Sequence, residues 1–150
     1  MKKHLLRWMV AAGVAVITLA SFIQPQMKAV FAPAKPVDKN ISFAVFKGNS
    51  YASKVYNSTS AQVHITVEKV CGKARKIVWE KTLDAKQLSE YPSVQNALTQ
   101  KVTVPNVFDK KEHIEVTYTL TYNSSGSKLQ MQGGSVVPND AKNDQLDISI

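Results

Sequence analysis

The sequence predicts an all-β fold, an antiparallel β-sandwich of about seven strands with one short helical crossover. Three observations carry this. Ile114, Val116, Tyr118, Leu120 and Tyr122 alternate without a break with His113, Glu115, Thr117, Thr119 and Thr121, the period of a strand with one dry and one wet face. Val63, Ile65 and Val67 repeat the pattern between Gln62, His64, Thr66 and Glu68. Long helices spaced regularly between strands, the mark of a parallel sheet, do not occur in the pattern.

The amino-terminal segment stands apart from this domain. Lys2, Lys3 and Arg7 precede an uncharged, mostly apolar run of 16 residues from Trp8 to Ile23, the layout of a secretory signal peptide. A membrane span needs about 20 residues, so an uncleaved anchor is the lesser reading. Ala32-Pro33-Ala34 supplies a small-residue cleavage signal, with Ala29 as another, and places the mature start between Val30 and Lys35. The expected organisation is a signal peptide over residues 1–34, an extended leader over 35–40 and a sandwich domain over 41–150.

Export changes the meaning of the charge. The chain has 19 basic and 11 acidic residues, but Lys2, Lys3, Arg7 and Lys28 lie in the signal segment, leaving 15 minus 11, or +4. That excess is spread out, without the basic patch that nucleic-acid binding needs, so nucleic acid is excluded as the expected partner. Cys71 is the only cysteine, so the domain holds no internal disulfide and must be stabilised by burial. No cysteine follows the signal to take a lipid, and no apolar tail closes the chain, so the expected product is secreted or held non-covalently in a bacterial-type envelope.

Pro33 and Pro36 fix φ and remove donors, which suits a leader. Residues 41–47 form the first expected strand, with Ile41, Phe43 and Val45 on one face. Residues 48–60, rich in Ser, Asn and Gly, read as a long loop with at most a short edge strand. The strand over 62–70 turns at Gly72 into a third over 76–83, giving a hairpin that carries Trp79. Asp84 and Gln87 have capping-box spacing and Pro92 breaks the segment, which predicts one or two short helices crossing between sheets over 84–99. Val102 and Val104 mark a strand stopped at Pro105-Asn106, and the long strand over 112–122 comes next. A turn at residues 123–126 leads to a short return strand over 128–132, then a polar, turn-rich stretch over 133–145. Leu146, Ile148 and Ile150 close the chain as a last strand whose edge could add to a neighbour's sheet.

The strand order, with Trp79 in a middle strand and Tyr118 in a long late one, resembles the immunoglobulin-like and fibronectin type III-like sandwiches. The resemblance implies a core Trp between the sheets and a late Tyr pinning a corner to backbone. It departs from true immunoglobulin domains in lacking paired cysteines, and implies no function.

Catalytic chemistry finds little support in the residues. His64 and His113 lie on strands without Cys or Asp at ligand spacing, and Glu68 and Glu80, opposed across the expected hairpin, read as solvating carboxylates. No serine elbow, phosphate loop or zinc motif occurs, so the expectation is no enzyme, no metal and no cofactor. Thr117, Thr119 and Thr121, with Thr66 and Thr103 on neighbouring strands, form a row that reads as ordinary strand chemistry rather than a binding array. The sequons at Asn40, Asn57 and Asn123 read as turn chemistry.

Tyr51, Tyr56 and Tyr91 fall in expected loops, where aromatics on a rigid sandwich could stack on sugars or fill a partner's pocket. They are the candidate binding residues. Cys71 reads first as a small, half-buried hydrophobe, with an intermolecular disulfide or reactive thiol as its functional alternative. Together these residues imply a non-catalytic module that binds a protein or envelope polysaccharide through loops or an edge strand. The alternatives are a subunit that self-assembles into a homo-oligomer by strand pairing, and a secreted inhibitor that presents sandwich loops to an enzyme.

Overall fold

Alternation fixes which side of each strand is dry, and two sheets form by bringing the dry sides together. The computed structural model describes residues 35–150. The signal segment and cleavage site, read on residues 1–34, lie outside the described residues. The strands are β1 (Val37–Phe46), β2 (Thr59–Cys71), β3 (Ala74–Thr82), β4 (Lys86–Gln87), β5 (Leu98–Val107), β6 (Glu112–Ser124), β7 (Ser127–Val137) and β8 (Asn143–Ser149). One sheet has the order β5-β1-β8. The other has the order β3-β2-β6-β7, with the short β4 also pairing β2. Among the described residues all strand pairs are antiparallel except β1 with β8, which is parallel.

In the larger sheet β2 and β6 set Val63 opposite Leu120, Ile65 opposite Tyr118 and Val67 opposite Val116, so their dry faces coincide. Ile41, Phe43 and Val45 of β1 meet them from the smaller sheet, joined by Val104 and Val107 of β5 and Ile148 of β8. Each such aliphatic side chain taken out of water contributes about 1.5–3 kcal/mol. Trp79 is half-buried against the core, stacked on Phe43 of the smaller sheet with ring centroids 5.5 Å apart and planes 8° from parallel. A bulge in β3 separates the faces of Trp79 and Ile77, because Val67 pairs with Trp79 but Glu68 pairs with Ile77. Trp79 therefore points in, and Ile77 points out beside Glu68.

Several boundaries differ from expectation for physical reasons. β1 begins at Val37, inside the expected leader, because Lys39 is an anchor. Its buried ammonium donates to the carbonyls of Asn139 and Ala141 and pairs with Asp109 at 2.9 Å, tying three segments at one end of the sandwich. β5 runs through Pro105 to Val107, with Asn106 in a left-handed conformation and its N–H donated to Asp38 at 2.9 Å. The expected crossover helices are two 3-10 turns, Leu88–Glu90 and Val94–Asn96, and the Glu90 carboxylate reaches back to the Gln87 N–H. Asn40 and Asn123 lie in β1 and β6 rather than in turns.

The largest departure is β7, which runs straight through Gly133 and Gly134 instead of turning there. A Cβ at Gly134 would overlap the Val116 carbonyl, so the close approach of β6 requires that glycine, and one at Gly133 would push the Tyr118 ring aside. The last expected strand is β8, with one edge on β1 and with Ile148 and Ile150 in the core.

Candidate functional site

The larger sheet extends past the smaller one at β7. Leu129 and Met131 lie opposite Tyr122 and Leu120, on the face that packs inward, yet they remain 61% and 54% exposed. Beside them the loop after β1 folds back over the sheet and leaves an open groove of about 440 Å³. Tyr51, Tyr56, Tyr122, Leu88, Leu129 and Met131 form its apolar walls.

The loop is held at both ends. Lys47 donates its N–H to the Pro92 carbonyl at 2.9 Å and Gly48 donates to Ile150 at 3.0 Å, while the 3-10 turn Lys54–Tyr56 closes with a bond from the Tyr56 N–H to the Ser53 carbonyl. Tyr51 has φ of 49°, a region that residues other than glycine seldom occupy. That backbone turns its ring onto Tyr56, edge to face, with centroids 5.1 Å apart. At the rim Thr59 donates its hydroxyl to Ser124 at 2.9 Å.

Burial, then the neighbouring Tyr56, pushes the Tyr51 phenol above its ordinary value, and burial followed by Tyr51 and Tyr118 does the same to Tyr122. These phenols stay protonated well above neutral pH and serve as neutral hydrogen-bonding groups on aromatic rings. Among the described residues Lys128 is the one ionic side chain on the groove wall. The arrangement can stack, bury and hydrogen-bond a ligand.

Two of the three tyrosines named from sequence therefore come together. The third, Tyr91, is in the core at 1% exposure, with its hydroxyl donated to the Ala61 carbonyl at 2.9 Å and its pKa pushed up to about 12 by burial and by Tyr122. It is the tyrosine that anchors to backbone, whereas Tyr118 lies over Gly133. Tyr122, on the dry face of the long strand, and Leu129 and Met131, alternating in the return strand, are groove residues that the sequence did not single out as binding candidates. Their alternation was visible, but the overhang that uncovers them was not.

Cys71 is exposed at the end of β2, so the half-buried reading fails. Glu68 faces Glu115 of β6 rather than Glu80, which sits opposite Thr66. Arg75 bridges that carboxylate pair, at 3.0 Å from Glu68 and 2.6 Å from Glu115. The His113 ring, 2.9 Å away, and Arg75 together hold the Glu115 carboxyl below the usual range. His64 sits between Thr82 and Thr66 at 2.8 and 3.2 Å. Thr66 does neighbour Thr117, but Thr103 is on β5 in the other sheet. Among the described residues no three His, Cys, Asp or Glu side chains are grouped to hold a metal ion.

Comparison with protein-family profiles, with curated proteins and with solved structures returns no match.

Proposed function

We propose that this chain is a non-catalytic extracytoplasmic binding module that captures an apolar or aromatic group of an envelope protein or polysaccharide in the tyrosine groove. The observation that carries the reading is the groove itself, where Tyr51 and Tyr56 are set edge to face above the uncovered Leu129 and Met131. A folded domain ordinarily buries such groups, and a concave apolar site with a few polar groups at its rim is the usual form of a binding pocket. The basic, apolar amino-terminal run supports export.

The strand order supports an immunoglobulin-like assignment at the level of fold. β3-β2-β6-β7 follows the order C′-C-F-G and β5-β1 the order E-B, with β8 in the place of the first strand but parallel to β1. Loops at the ends of such a scaffold are where recognition is built.

Retention of the full chain on cell-wall polysaccharide and on envelope-protein fractions tests the reading. The double variant Tyr51→Ala/Tyr56→Ala is expected to lose retention by roughly tenfold or more. Retention equal to wild type in that variant, or none by the wild type on either material, would sink it.

A further inference from the structure

Among the described residues the two open sheets have four edges, and natural proteins defend such edges with charge, proline or bulges. Three of the four are defended. β3 carries Arg75, Lys76, Glu80 and Lys81 and a bulge. β5 carries Lys101 and Pro105 and a register shift against β1. β8 carries Asp144 and Asp147. β7 has none of these protections along its 11 residues except Lys128 at its start, and its register on β6 is unbroken. It is also exposed from end to end apart from Gly133 and Val137.

We propose that β7 is a self-pairing edge, through which two copies of this chain join their larger sheets into one across a twofold axis at Gln132.

Hydrogen-bonding parity allows this pairing. The turn between β6 and β7 has Ser125 and Gly126 both left-handed, a two-residue hairpin that closes on a hydrogen-bonded pair, Ser124 with Ser127. Odd-numbered residues of β7 therefore turn their N–H and C=O toward β6, and Lys128, Gln130, Gln132, Gly134 and Val136 turn theirs outward. An antiparallel twofold at Gln132 sets Gln132 against itself, Gln130 against Gly134 and Lys128 against Val136. Every outward backbone group then finds a partner.

Side-chain size fits the same register. The first half of β7 is large, with Leu129, Gln130 and Met131, and the second half is small, with Gly133, Gly134 and Ser135. Antiparallel self-pairing sets Met131 beside the second copy's Gly133, where the Tyr118 ring offers the sulfur an aromatic surface, and sets Leu129 beside Ser135. No like charges oppose one another. The same strand reversed brings the large residues 129–131 against the small residues 133–135, which favours a second copy as the occupant.

Sedimentation of the full chain over concentrations up to roughly 1 mM tests this, with reductant present so that Cys71 cannot cross-link. The wild type is expected to dimerise reversibly. Gln132→Lys sets two ammonium groups together at the axis and is expected to weaken the dimer by roughly tenfold or more, with an unchanged melting temperature for the monomer. In a Cys71→Ser background, Gln132→Cys is expected to form a disulfide dimer on mild oxidation, and Thr121→Cys, on the same face but in β6, is not. A wild type that stays monomeric throughout, a Gln132→Lys variant that dimerises like wild type, or equal cross-linking at Thr121 would each overturn the proposal.

Discussion

The two flanks of the larger sheet are built from similar strands and are finished in opposite ways. At the β3 flank the half-buried Trp79 stacks on Phe43, and Lys81 donates to Gln100 of β5 at 2.7 Å, so the neighbouring sheet reaches across to this edge. At the β7 flank the inward side chains Leu129 and Met131 meet solvent and the tyrosine loop. The same alternation produces a margin bridged by the facing sheet on one side and an open groove on the other. What differs is whether a strand of the smaller sheet lies opposite. On the proposed function recognition belongs to the β7 flank, while the Trp79–Phe43 stack belongs to the β3 flank, and mutations at the two flanks should separate binding from stability.

The sharpest test of the β3 flank is Phe43→Ala. Phe43 is fully buried, and its loss removes both its own burial and the stacking surface of Trp79. The expected cost is about 3–5 kcal/mol, read as a fall in the denaturant midpoint without a change in slope. A cost below about 1 kcal/mol would show that the flank collapses to fill the space, and that the stack does not set its geometry.

The tyrosines give a second contrast, in pH. Burial raises the Tyr91 phenol from an ordinary value of 10 to about 12, so the folded state holds a proton that the unfolded chain has released. Its contribution is fully present below pH 10 and is lost as pH rises toward 12. Tyr51 and Tyr122 are shifted in the same direction. Tyr91→Phe removes the bond to the Ala61 carbonyl at a cost of about 1–2 kcal/mol near neutral pH, and should flatten the alkaline decline. Urea titrations at several alkaline pH values check this, and an equal decline in the variant would assign the effect to the groove phenols instead.

The dry faces of β2 and β6 could be read from alternation and the turn at Gly72 from its glycine, because each depends on neighbours in sequence, whereas the bulge that sets Trp79 and Ile77 on opposite faces leaves no mark in the pattern. The parallel pairing of β1 with β8 could not, since alternation marks a strand but not its distant partner. Lys39 reads as a surface residue by type, and only the carbonyls of Asn139 and Ala141 converging from far along the chain make its burial favourable. Gly133 and Gly134 read as a turn until Tyr118 and the Val116 carbonyl occupy the space that side chains would need. Of the candidate site, Tyr51 and Tyr56 were legible as loop aromatics, but nothing local distinguishes them from Tyr91. The difference is the Ala61 carbonyl, which stands within reach of Tyr91.

Leu129→Thr should have the smallest effect on stability and bears most directly on the contrast between flanks. Leu129 is mostly exposed, and threonine keeps β-propensity, so little apolar burial and no strand preference is lost. The expected change in unfolding free energy is within about 0.5 kcal/mol. The same substitution replaces an apolar groove wall with a hydroxyl, so retention on envelope material should fall while the melting curve stays in place. A destabilisation of about 2 kcal/mol or more would mean that Leu129 is covered in solution, by the tyrosine loop or by a second copy, and that the β7 flank is as closed as the β3 flank. Melting at two protein concentrations separates those causes, because only a dimer makes the midpoint depend on concentration.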